Sequence, residues 1–533
     1  MSPRAVPRTV AEILDRVMAT EPAREAIVAR SGRCSYAQLD ALANRAAHAL
    51  ASLGARPGDR VAAALPNDLD VVVAFHGAMR LGAVWVGVNR ALAPPEKAFI
   101  LGDSQASILL CDPGTSDQVE AVRRGSGGGE LAGLERMVVV EPWDATNDAG
   151  HAGDGGEWAS AMVAAADDRL PVAIDPYAPA GIAYTSGTTG HPKGAVHSQH
   201  NMVLPGAATV ASRGYGPGLR KGDCLPLTIL NMLVLTTVLV AQAGGCSVIM
   251  DRIDPEGVAG WIAEERVTTW NGPPALIHGL ATNEAVRAED LASLDEVWNG
   301  GADCPEAVRA MFQAKFGCPV LATYGLTEAP TLVSIDGRDG THRPGASGRP
   351  LPHLDVRIVG REGEPVAPGD TGEICVAAID EGPWAGAYRP LLGYWQRPEA
   401  SAEVVRGGLL HTGDLGYLDD DGFLFVRDRS ALVIIRGGAN VYPAEVERVL
   451  HAAPGVVACA VVGVPDERLG ERVVAAVERQ PGAEVSAEQL AAQCLANLAR
   501  YKVPERFVFV DAFPRNSMGK ISRRDLPALF EPT

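Results

Sequence analysis

The sequence predicts an α/β protein in which a large N-terminal domain of layered sheets and helices, with a β-rich subdomain, precedes a small α+β C-terminal domain. A chain of 533 residues exceeds what one hydrophobic core usually supports, so at least two domains are expected. Strand and helix patterns alternate through the N-terminal half, which favours a mainly parallel sheet covered on both faces. We place the two domains at residues 1–429 and 430–533.

The clearest strand and helix signals lie before residue 141. Apolar residues recur at helical spacing in two runs within 9–53, and the second run ends at Gly54. A further helix is predicted over 71–79. Strands are predicted at 60–65, 83–88, 107–111 and 136–140. This order is typical of repeated strand–helix–strand units.

The stretch from Leu225 to Ala243 carries no formal charge and is long enough to cross a bilayer. It contains Pro226, Asn231 and Gln242, and no loop rich in Lys and Arg follows it. We therefore interpret it as a helix buried in a large core and not as a membrane span.

Two predicted strands, at 294–299 and 318–324, run into glycine-containing segments. The residues that follow them are Gly300, Gly301 and Ala302 in the first case and Gly325-Leu-Thr-Glu328 in the second. Because ligands bind at the carboxyl ends of strands in open α/β sheets, the first of these segments is a candidate binding element.

The chain from Gly345 onward predicts the β-rich subdomain, because short valine-type strands alternate there with glycine and proline. The last hundred residues or so predict a compact α+β domain of ordinary size. One of its helices begins at Pro443, and Ser486 with Gln489 forms a capping box at the start of another.

An eleven-residue loop, Tyr184-Thr-Ser-Gly-Thr-Thr-Gly-His-Pro-Lys-Gly194, follows a buried strand. Such a loop can turn its backbone N–H groups inward around an anion, with hydroxyls as further donors and Lys193 as a positive charge. It is not a Walker loop, because His191 and Pro192 stand between the second glycine and the lysine. We expect it to bind phosphate; a flexible linker is the alternative.

Composition excludes several classes of function. A net charge of −18 leaves no basic excess for general nucleic-acid binding and disfavours anionic membrane surfaces. Nine scattered cysteines without a C-x-x-C pair fit reduced thiols better than a disulfide framework. The N-terminus has no apolar core of signal-peptide length, so a cytoplasmic protein is expected.

The loop string resembles the phosphate-loop signature of the adenylate-forming superfamily, which includes acyl-CoA synthetases, aryl-acid ligases, peptide-synthetase adenylation domains and beetle luciferases. The resemblance continues in order from Ser35-Tyr-Ala-Gln-Leu-Asp40 to Lys520 and covers nearly the whole chain. It implies an ATP-phosphate loop formed by Thr185, Ser186, Gly187, Thr188, Thr189 and Lys193. It also implies that the segment Gly300, Gly301 and Ala302 lies against the adenine.

The resemblance implies roles for six further residues. Tyr324 would lie against the adenine, and Asp414 would accept the ribose hydroxyls. Thr327 would meet the α-phosphate, and Glu328 would bind Mg²⁺. Arg429 would reach the ribose or phosphate, and Lys520 would bridge the acid and the α-phosphate. A hard cation held by one carboxylate and substrate phosphates is the usual Mg²⁺ arrangement.

The reaction so implied uses ATP, Mg²⁺ and CoA. A carboxylate attacks the α-phosphate of ATP to give acyl-AMP and pyrophosphate, and a thiol then displaces AMP. The carboxylate is already ionised at neutral pH, so no general base is needed. In the superfamily the C-terminal lid is mobile and rotates between the two steps, which would bring Gly437 and Gly438 to the active site as part of a CoA tunnel.

The sequence departs from the superfamily pattern at two places. Members usually carry Asp or Lys two positions after the arginine equivalent to Arg429, at the hinge, whereas this chain has Ala431. Adenylation would then be efficient and transfer to CoA poor. Many CoA ligases also carry a gating His after Pro-Leu-x, which Pro226-Leu-Thr-Ile229 lacks. We expect an apolar acid pocket that includes Asn231, Met232 and Gly325.

The predicted function is ATP-dependent activation of a hydrophobic, aromatic or alicyclic carboxylic acid, followed by thioesterification to acyl-CoA. One alternative is an enzyme that passes acyl-AMP to a carrier-protein thiol or a partner enzyme and has weak CoA transfer of its own. Another is a nucleotide sensor that has lost catalysis, which the presence of Lys520 and Glu328 disfavours. The oligomeric state is left open, with a homodimer as the candidate assembly.

Overall fold

The structure is a computed structural model. It describes residues 6–125, 129, 131–141, 156–186, 192–300, 304–338, 341–360, 363–429, 433–479, 485–511, 513 and 526–530. Side chains inside its strands and helices are described except at positions 186, 428, 429, 444 and 457.

Among its described residues, the first region, 6–141, supplies six strands and five α-helices. They are α1 (Asp15–Thr20), β1 (Glu25–Ala29), β2 (Gly32–Ser35), α2 (Tyr36–Ser52), β3 (Arg60–Ala64), α3 (Leu69–Leu81), β4 (Val84–Gly87), α4 (Pro94–Asp103), β5 (Ile108–Cys111), α5 (Pro113–Gly125) and β6 (Arg136–Val139). Strands β3 and β5 are apolar and almost wholly buried, as expected of parallel strands covered on both faces.

The second region, residues 156–300, alternates strands and helices again. Its elements are α6 (Glu157–Ala164), β7 (Pro179–Ser186), β8 (Pro192–Ser198), α7 (Gln199–Arg213), β9 (Arg220–Asp223), α8 (Leu230–Leu233), α9 (Leu239–Ala243), β10 (Cys246–Ile249), α10 (Pro255–Glu265), β11 (Thr269–Asn271), α11 (Pro274–Thr282) and β12 (Glu296–Asn299).

The third region, residues 304–429, contains α12 (Glu306–Phe316), β13 (Val320–Tyr324), β14 (Ser334–Ile335), β15 (Arg349–Pro350), β16 (Leu354–Val359), β17 (Gly372–Ala378), β18 (Gly393–Tyr394), α13 (Pro398–Val404), β19 (Val405–Arg406), β20 (Leu409–Leu418) and β21 (Leu424–Arg429). The C-terminal region adds β22 (Ile434–Arg436), β23 (Ala439–Val441), α14 (Pro443–His451), β24 (Val456–Asp466), β25 (Gly470–Arg479), α15 (Ala487–Asn497) and β26 (Arg506–Val510).

Three sheets form the N-terminal part. One has the order β18-β8-β7-β4-β3-β5-β6 and is parallel from β7 to β6, and a second has the order β15-β14-β13-β12-β11-β9-β10-β1-β2. The third, β16-β17-β20-β19 with β21 beside β20, is antiparallel and corresponds to the predicted β-rich subdomain. The predicted fold class is therefore confirmed.

The C-terminal region forms its own sheet, β23-β22-β25-β24, with β26 parallel to β25. Its apolar residues, among them Val446, Val461 and Leu490, pack on one another in a separate core. The capping box predicted at Ser486 is present at the start of α15. We call this part the C-terminal domain; its predicted boundary between residues 429 and 430 stays a prediction, because 430–432 lie outside the described residues.

The uncharged stretch at 225–243 is a buried, interrupted helix. It contains α8 and α9 with a π-helical segment, Val234–Val238, between them, and the side chains of that segment are buried. Within the described residues, no helix combines the length and the apolar character that a membrane span needs.

Candidate active site

The two ends of the predicted phosphate loop pair with each other in antiparallel strands. Strands β7 and β8 pair with Thr185 opposite Lys193 and Ser186 opposite Pro192. The strand pairing thus brings the first hydroxyl of the loop and its lysine to the same end of the sheet. Gly187, Thr188 and Thr189 lie outside the described residues, as does the side chain of Ser186.

Glu328 accepts hydrogen bonds from two different strands beside the predicted phosphate site. Its Oε1 accepts a hydrogen bond from the Thr185 hydroxyl at 3.3 Å and one from the Tyr394 hydroxyl at 2.7 Å. The Nζ of Lys193 lies 5.4 Å from the centre of the Tyr394 ring. Burial and the nearby carboxylate of Glu328 raise the pKa of Tyr394 above its usual value, so this phenol stays protonated and donates.

The predicted nucleoside residues Tyr324 and Asp414 contact each other directly. The Tyr324 hydroxyl donates to Oδ2 of Asp414 at 2.7 Å, which joins the end of β13 to β20. Asp414 pairs with Arg429 across the β20–β21 ladder. The side chain of Arg429 lies outside the description. The turn before Asp414 is fixed by Glu373, whose Oε1 accepts the N–H of Gly413 at 3.1 Å.

Gly300 and Gly325 follow neighbouring parallel strands, β12 and β13, at the same edge of the sheet. A Cβ added to Gly300 would lie 2.6 Å from Oγ1 of Thr323. A Cβ added to Gly325 would overlap the carbonyl oxygen of Thr331. Position 325 therefore requires glycine for close approach of the backbone, and at Gly300 a larger residue would meet the Thr323 side chain. Gly301 and Ala302 lie outside the described residues.

The predicted acid-pocket residues of α8 lie beside the predicted α-phosphate residue. The side-chain amide of Asn231 donates to Oγ1 of Thr327 at 3.4 Å. Met232 is partly buried and packs against the two largest apolar cores. The structure thus brings Asn231 and Thr327 together, and Glu328 follows Thr327 directly in the chain.

The C-terminal domain approaches this edge through its glycine turn. Gly437 and Gly438 connect β22 to β23 with φ angles of 59° and 86°, in the left-handed region that favours glycine. A Cβ added to Gly438 would lie 2.5 Å from Cβ of Pro273, which directly precedes α11. Lys520 and Ala431 lie outside the described residues, so their predicted roles stay predictions.

Comparison with known proteins now decides the family. Residues 14–380 match the family described as AMP-binding enzyme, and residues 445–520 match the AMP-binding enzyme C-terminal domain. The chain belongs to the AMP-binding enzyme family.

The family includes relatives similar to this chain over nearly their full length. A long-chain-fatty-acid–CoA ligase, FadD13 of Mycobacterium tuberculosis, is 35% identical over 94% of both chains. A feruloyl-CoA synthase of Amycolatopsis is 35% identical over 93% of this chain and 94% of its own. The solved structure of the amide bond synthetase McbA from Marinactinospora thermotolerans superposes with a TM-score of 0.83 at 30% identity, over 98% and 99% of the two chains. The predictions of this superfamily and of an AMP-forming acid–thiol ligase are confirmed.

The residues of this AMP-binding enzyme fit a magnesium ion at Glu328. The carboxylate lies beside the hydroxyl of Thr185, the first hydroxyl residue of the predicted phosphate loop. Hard oxygen donors of this kind, completed by substrate phosphates, are what Mg²⁺ prefers. When bound, the ion would neutralise phosphate charge; Glu328 is the protein residue that would hold it.

Two residues near the site were missed from the sequence. Tyr394 contacts Glu328, although the string Gly393-Tyr394-Trp395 carried no predicted role. His197, on β8, lies fully buried next to the backbone of Thr327. Burial lowers the pKa of His197 to about 4, so it is neutral at physiological pH. Neither residue has a local sequence signal, because each is defined by a neighbour far away in the chain.

Proposed function

We propose that this AMP-binding enzyme converts a hydrophobic carboxylic acid to its CoA thioester through an acyl-adenylate. The observation that carries the proposal is that the chain at the carboxyl end of β13 reaches both predicted subsites, because Glu328 accepts from the Thr185 hydroxyl and Tyr324 donates to Asp414. One pair suits the phosphates and the other the nucleoside. A nucleotide spans both when its α-phosphate lies near Thr327.

In the first half-reaction an acid oxygen forms a bond to the α-phosphorus while the bond to the β-phosphate oxygen breaks, and pyrophosphate leaves. Both reactants are anions, so the main task of the protein is to neutralise charge and align the groups. We assign pyrophosphate binding to the loop that ends at Lys193, ribose binding to Asp414 and Arg429, and the bridge between acid and α-phosphate to Lys520. No proton has to be removed from the acid, which agrees with a nearby histidine, His197, that is buried and neutral.

In the second half-reaction a thiol sulfur bonds to the acyl carbon and AMP leaves. We assign the approach of CoA to the turn of Gly437 and Gly438, which packs against Pro273 in this structure. Alternation between this arrangement and one that delivers Lys520 would be a hinge motion near Ala431, at the proposed boundary between domains 1–429 and 430–533.

The acid is proposed to be hydrophobic. Met232 offers apolar surface next to Asn231. The named acids of the two relatives, long-chain fatty acid and ferulate, are both hydrophobic but differ in shape. They support the class of acid and not one member of it.

Three further features belong to the proposal. The acceptor is CoA, with a carrier-protein thiol or a partner enzyme as the alternative, because Ala431 lacks the side-chain charge usual at the hinge. We place the enzyme in the cytoplasm because all nine cysteines, each among the described residues, are buried and form no disulfide. A homodimer is the candidate assembly.

The test is acid-dependent exchange of labelled pyrophosphate into ATP over a panel of fatty, aromatic and alicyclic acids. Exchange with some acids, lost in Lys520→Ala, is the expected result. Adding CoA, a carrier protein or an amine to the reactive acid then identifies the acceptor. ATP binding without exchange for any acid would instead favour a nucleotide sensor.

A further inference from the structure

A buried cluster of charges joins the C-terminal domain to α4 of the N-terminal domain. The Nζ of Lys502 lies 2.6 Å from Oε1 of Glu96 and 2.8 Å from Oε1 of Glu445. The side chains are 8% exposed for Lys502 and Glu96 and 2% for Glu445. Lys502 and Glu445 belong to one domain and Glu96 to the other, so one ion pair of the cluster crosses the interface.

The carboxylate of Glu96 is held in place by two backbone groups as well. Its Oε2 accepts the N–H of Ala93 at 2.7 Å, which caps the start of α4, and the N–H of Ala499 at 2.7 Å. The second of these bonds also crosses between the domains. Glu96 thus binds the C-terminal domain through both oxygens, with a geometry that α4 fixes.

The charges of the cluster are maintained despite their burial. Burial opposes the charged form of Lys502, but the two carboxylates more than compensate and raise its pKa above the usual value. Burial raises the pKa of Glu445, and Lys502 offsets part of that rise. An ion pair in such surroundings is strong only while its partners stay aligned, because buried charge without a partner is costly.

The charge cluster and the glycine turn both contact the N-terminal domain in the same orientation of the C-terminal domain. Glu445 lies in the first turn of α14, which begins directly after β23 and therefore close in the chain to Gly438. Contact between Lys502 and Glu96 coexists with contact between Gly438 and Pro273. Alanine at position 431 supplies no side-chain charge that could hold the domain from the hinge itself.

We propose that Glu96 and Lys502 are positioning residues that hold the C-terminal domain in the orientation for thioester formation, and so set the rate of the second half-reaction relative to the first. The inference rests on the proposed function for its kinetic meaning. The contact itself is a property of the protein without substrates. It predicts that weakening the pair slows acyl transfer and leaves adenylation nearly unchanged.

Glu96→Gln and Glu96→Lys form a graded test. Glutamine keeps an acceptor for the N–H groups of Ala93 and Ala499, removes the charge across the interface and leaves the pair of Lys502 with Glu445 intact. Lysine replaces attraction by repulsion. Glu157→Gln and Glu157→Lys are the matched controls, since Glu157 pairs with Arg136 on the exposed surface at 2.6 Å.

Two kinetic measurements on the full-length protein separate the half-reactions. Pyrophosphate exchange reports the first, and the reaction of enzyme-bound acyl-AMP with CoA reports the second. We expect exchange to stay within about twofold of wild type, and the second step to slow about tenfold in Glu96→Gln and further in Glu96→Lys. Equal loss in both steps, or no loss in either, would overturn the proposal.

Hydrogen–deuterium exchange of the substrate-free protein tests the contact without relying on activity. Glu96→Lys should speed exchange in α4, at Ala499 and in the turn of Gly437 and Gly438, with β3 unchanged and the Glu157 controls like wild type. Unchanged deuterium exchange would refute the proposed positioning role of Glu96 and Lys502 even in an active enzyme. Absence of pyrophosphate exchange in wild type would refute the proposed function. The deuterium result would still decide whether Glu96 and Lys502 hold the C-terminal domain in place.

Discussion

The nucleotide edge of the N-terminal domain and the surface where the C-terminal domain meets it are held by different kinds of contact. At the edge, Glu328 and Asp414 each accept a hydrogen bond at 2.7 Å from a tyrosine hydroxyl, that of Tyr394 on β18 and that of Tyr324 on β13. At the domain contact, a glycine turn lies on Pro273 and one buried ion pair crosses to α4. We infer that the groups for adenylation are preformed within the N-terminal domain, whereas acyl transfer depends on an adjustable contact between the two domains.

Glu328→Gln should have the largest effect on the preformed side. Loss of the carboxylate charge removes the proposed magnesium ligand but keeps an acceptor for Tyr394 and Thr185. We expect pyrophosphate exchange to fall about 10²- to 10³-fold, with a higher magnesium concentration needed for the remainder. The exposed Glu264→Gln is the control. Full activity in Glu328→Gln would show that the Glu328 carboxylate does not serve as the magnesium ligand.

Gly438→Ala should act on the adjustable side. The added methyl group would meet Pro273 and would force alanine into a left-handed conformation. The turn should therefore no longer pack against Pro273. We expect acyl transfer to CoA to slow about tenfold or more, with pyrophosphate exchange retained. Gly422→Ala is a matched control, since Gly422 has φ of +76° and no atom within 4 Å of an added Cβ. Equal loss in both steps would show that the two sides are not separate.

Tyr324→Phe should have a smaller effect, on nucleotide binding. The variant deletes the hydroxyl that positions Asp414 but keeps the ring proposed to lie against the adenine. Loss of one hydrogen bond to a carboxylate predicts a rise of about threefold to tenfold in the KM for ATP. Steady-state kinetics beside the exposed Tyr177→Phe check this. An unchanged KM would mean that the fold alone positions Asp414.

The smallest expected effect concerns the stability of the N-terminal domain. His342 contacts Asp336 at 2.9 Å and Glu306 at 2.8 Å, and Asp336 chiefly raises its pKa above the usual value. The stabilisation is therefore complete below about pH 6.5 and is lost as the pH rises through the folded-state pKa. Because the ring is partly solvated, we expect only about 0.5 kcal/mol.

Denaturant unfolding as a function of pH measures this contribution. His342→Gln should flatten the loss of stability that wild type shows above about pH 6.5, whereas the exposed His451→Gln should not. A wild-type profile that rises in this range would contradict the assigned sign.

Sequence alone predicted the parts of the site that are local in the chain. The strand before the phosphate loop, the strand that ends at Tyr324 and the segment from Gly325 to Glu328 each carry their signal within a few residues. The chain order of strands and helices likewise indicated a parallel sheet, because a covered parallel strand must be apolar throughout.

Contacts between distant segments could not be predicted in the same way. Tyr394 and Glu328 are 66 residues apart, and Lys502 and Glu96 are 406 apart. Each pair depends on how separate elements pack, which neither periodicity nor composition encodes. The antiparallel partner β8 was also missed, since Pro192 and Gly194 weaken the strand pattern there.

The most direct test of the account is a single-turnover experiment in which ATP and a reactive acid are mixed with excess enzyme before CoA is added. The account predicts that acyl-AMP and pyrophosphate form first, and that acyl-AMP then decays at the rate at which acyl-CoA and AMP appear. Formation of acyl-CoA without acyl-AMP, or release of ADP and phosphate in place of AMP and pyrophosphate, would contradict it.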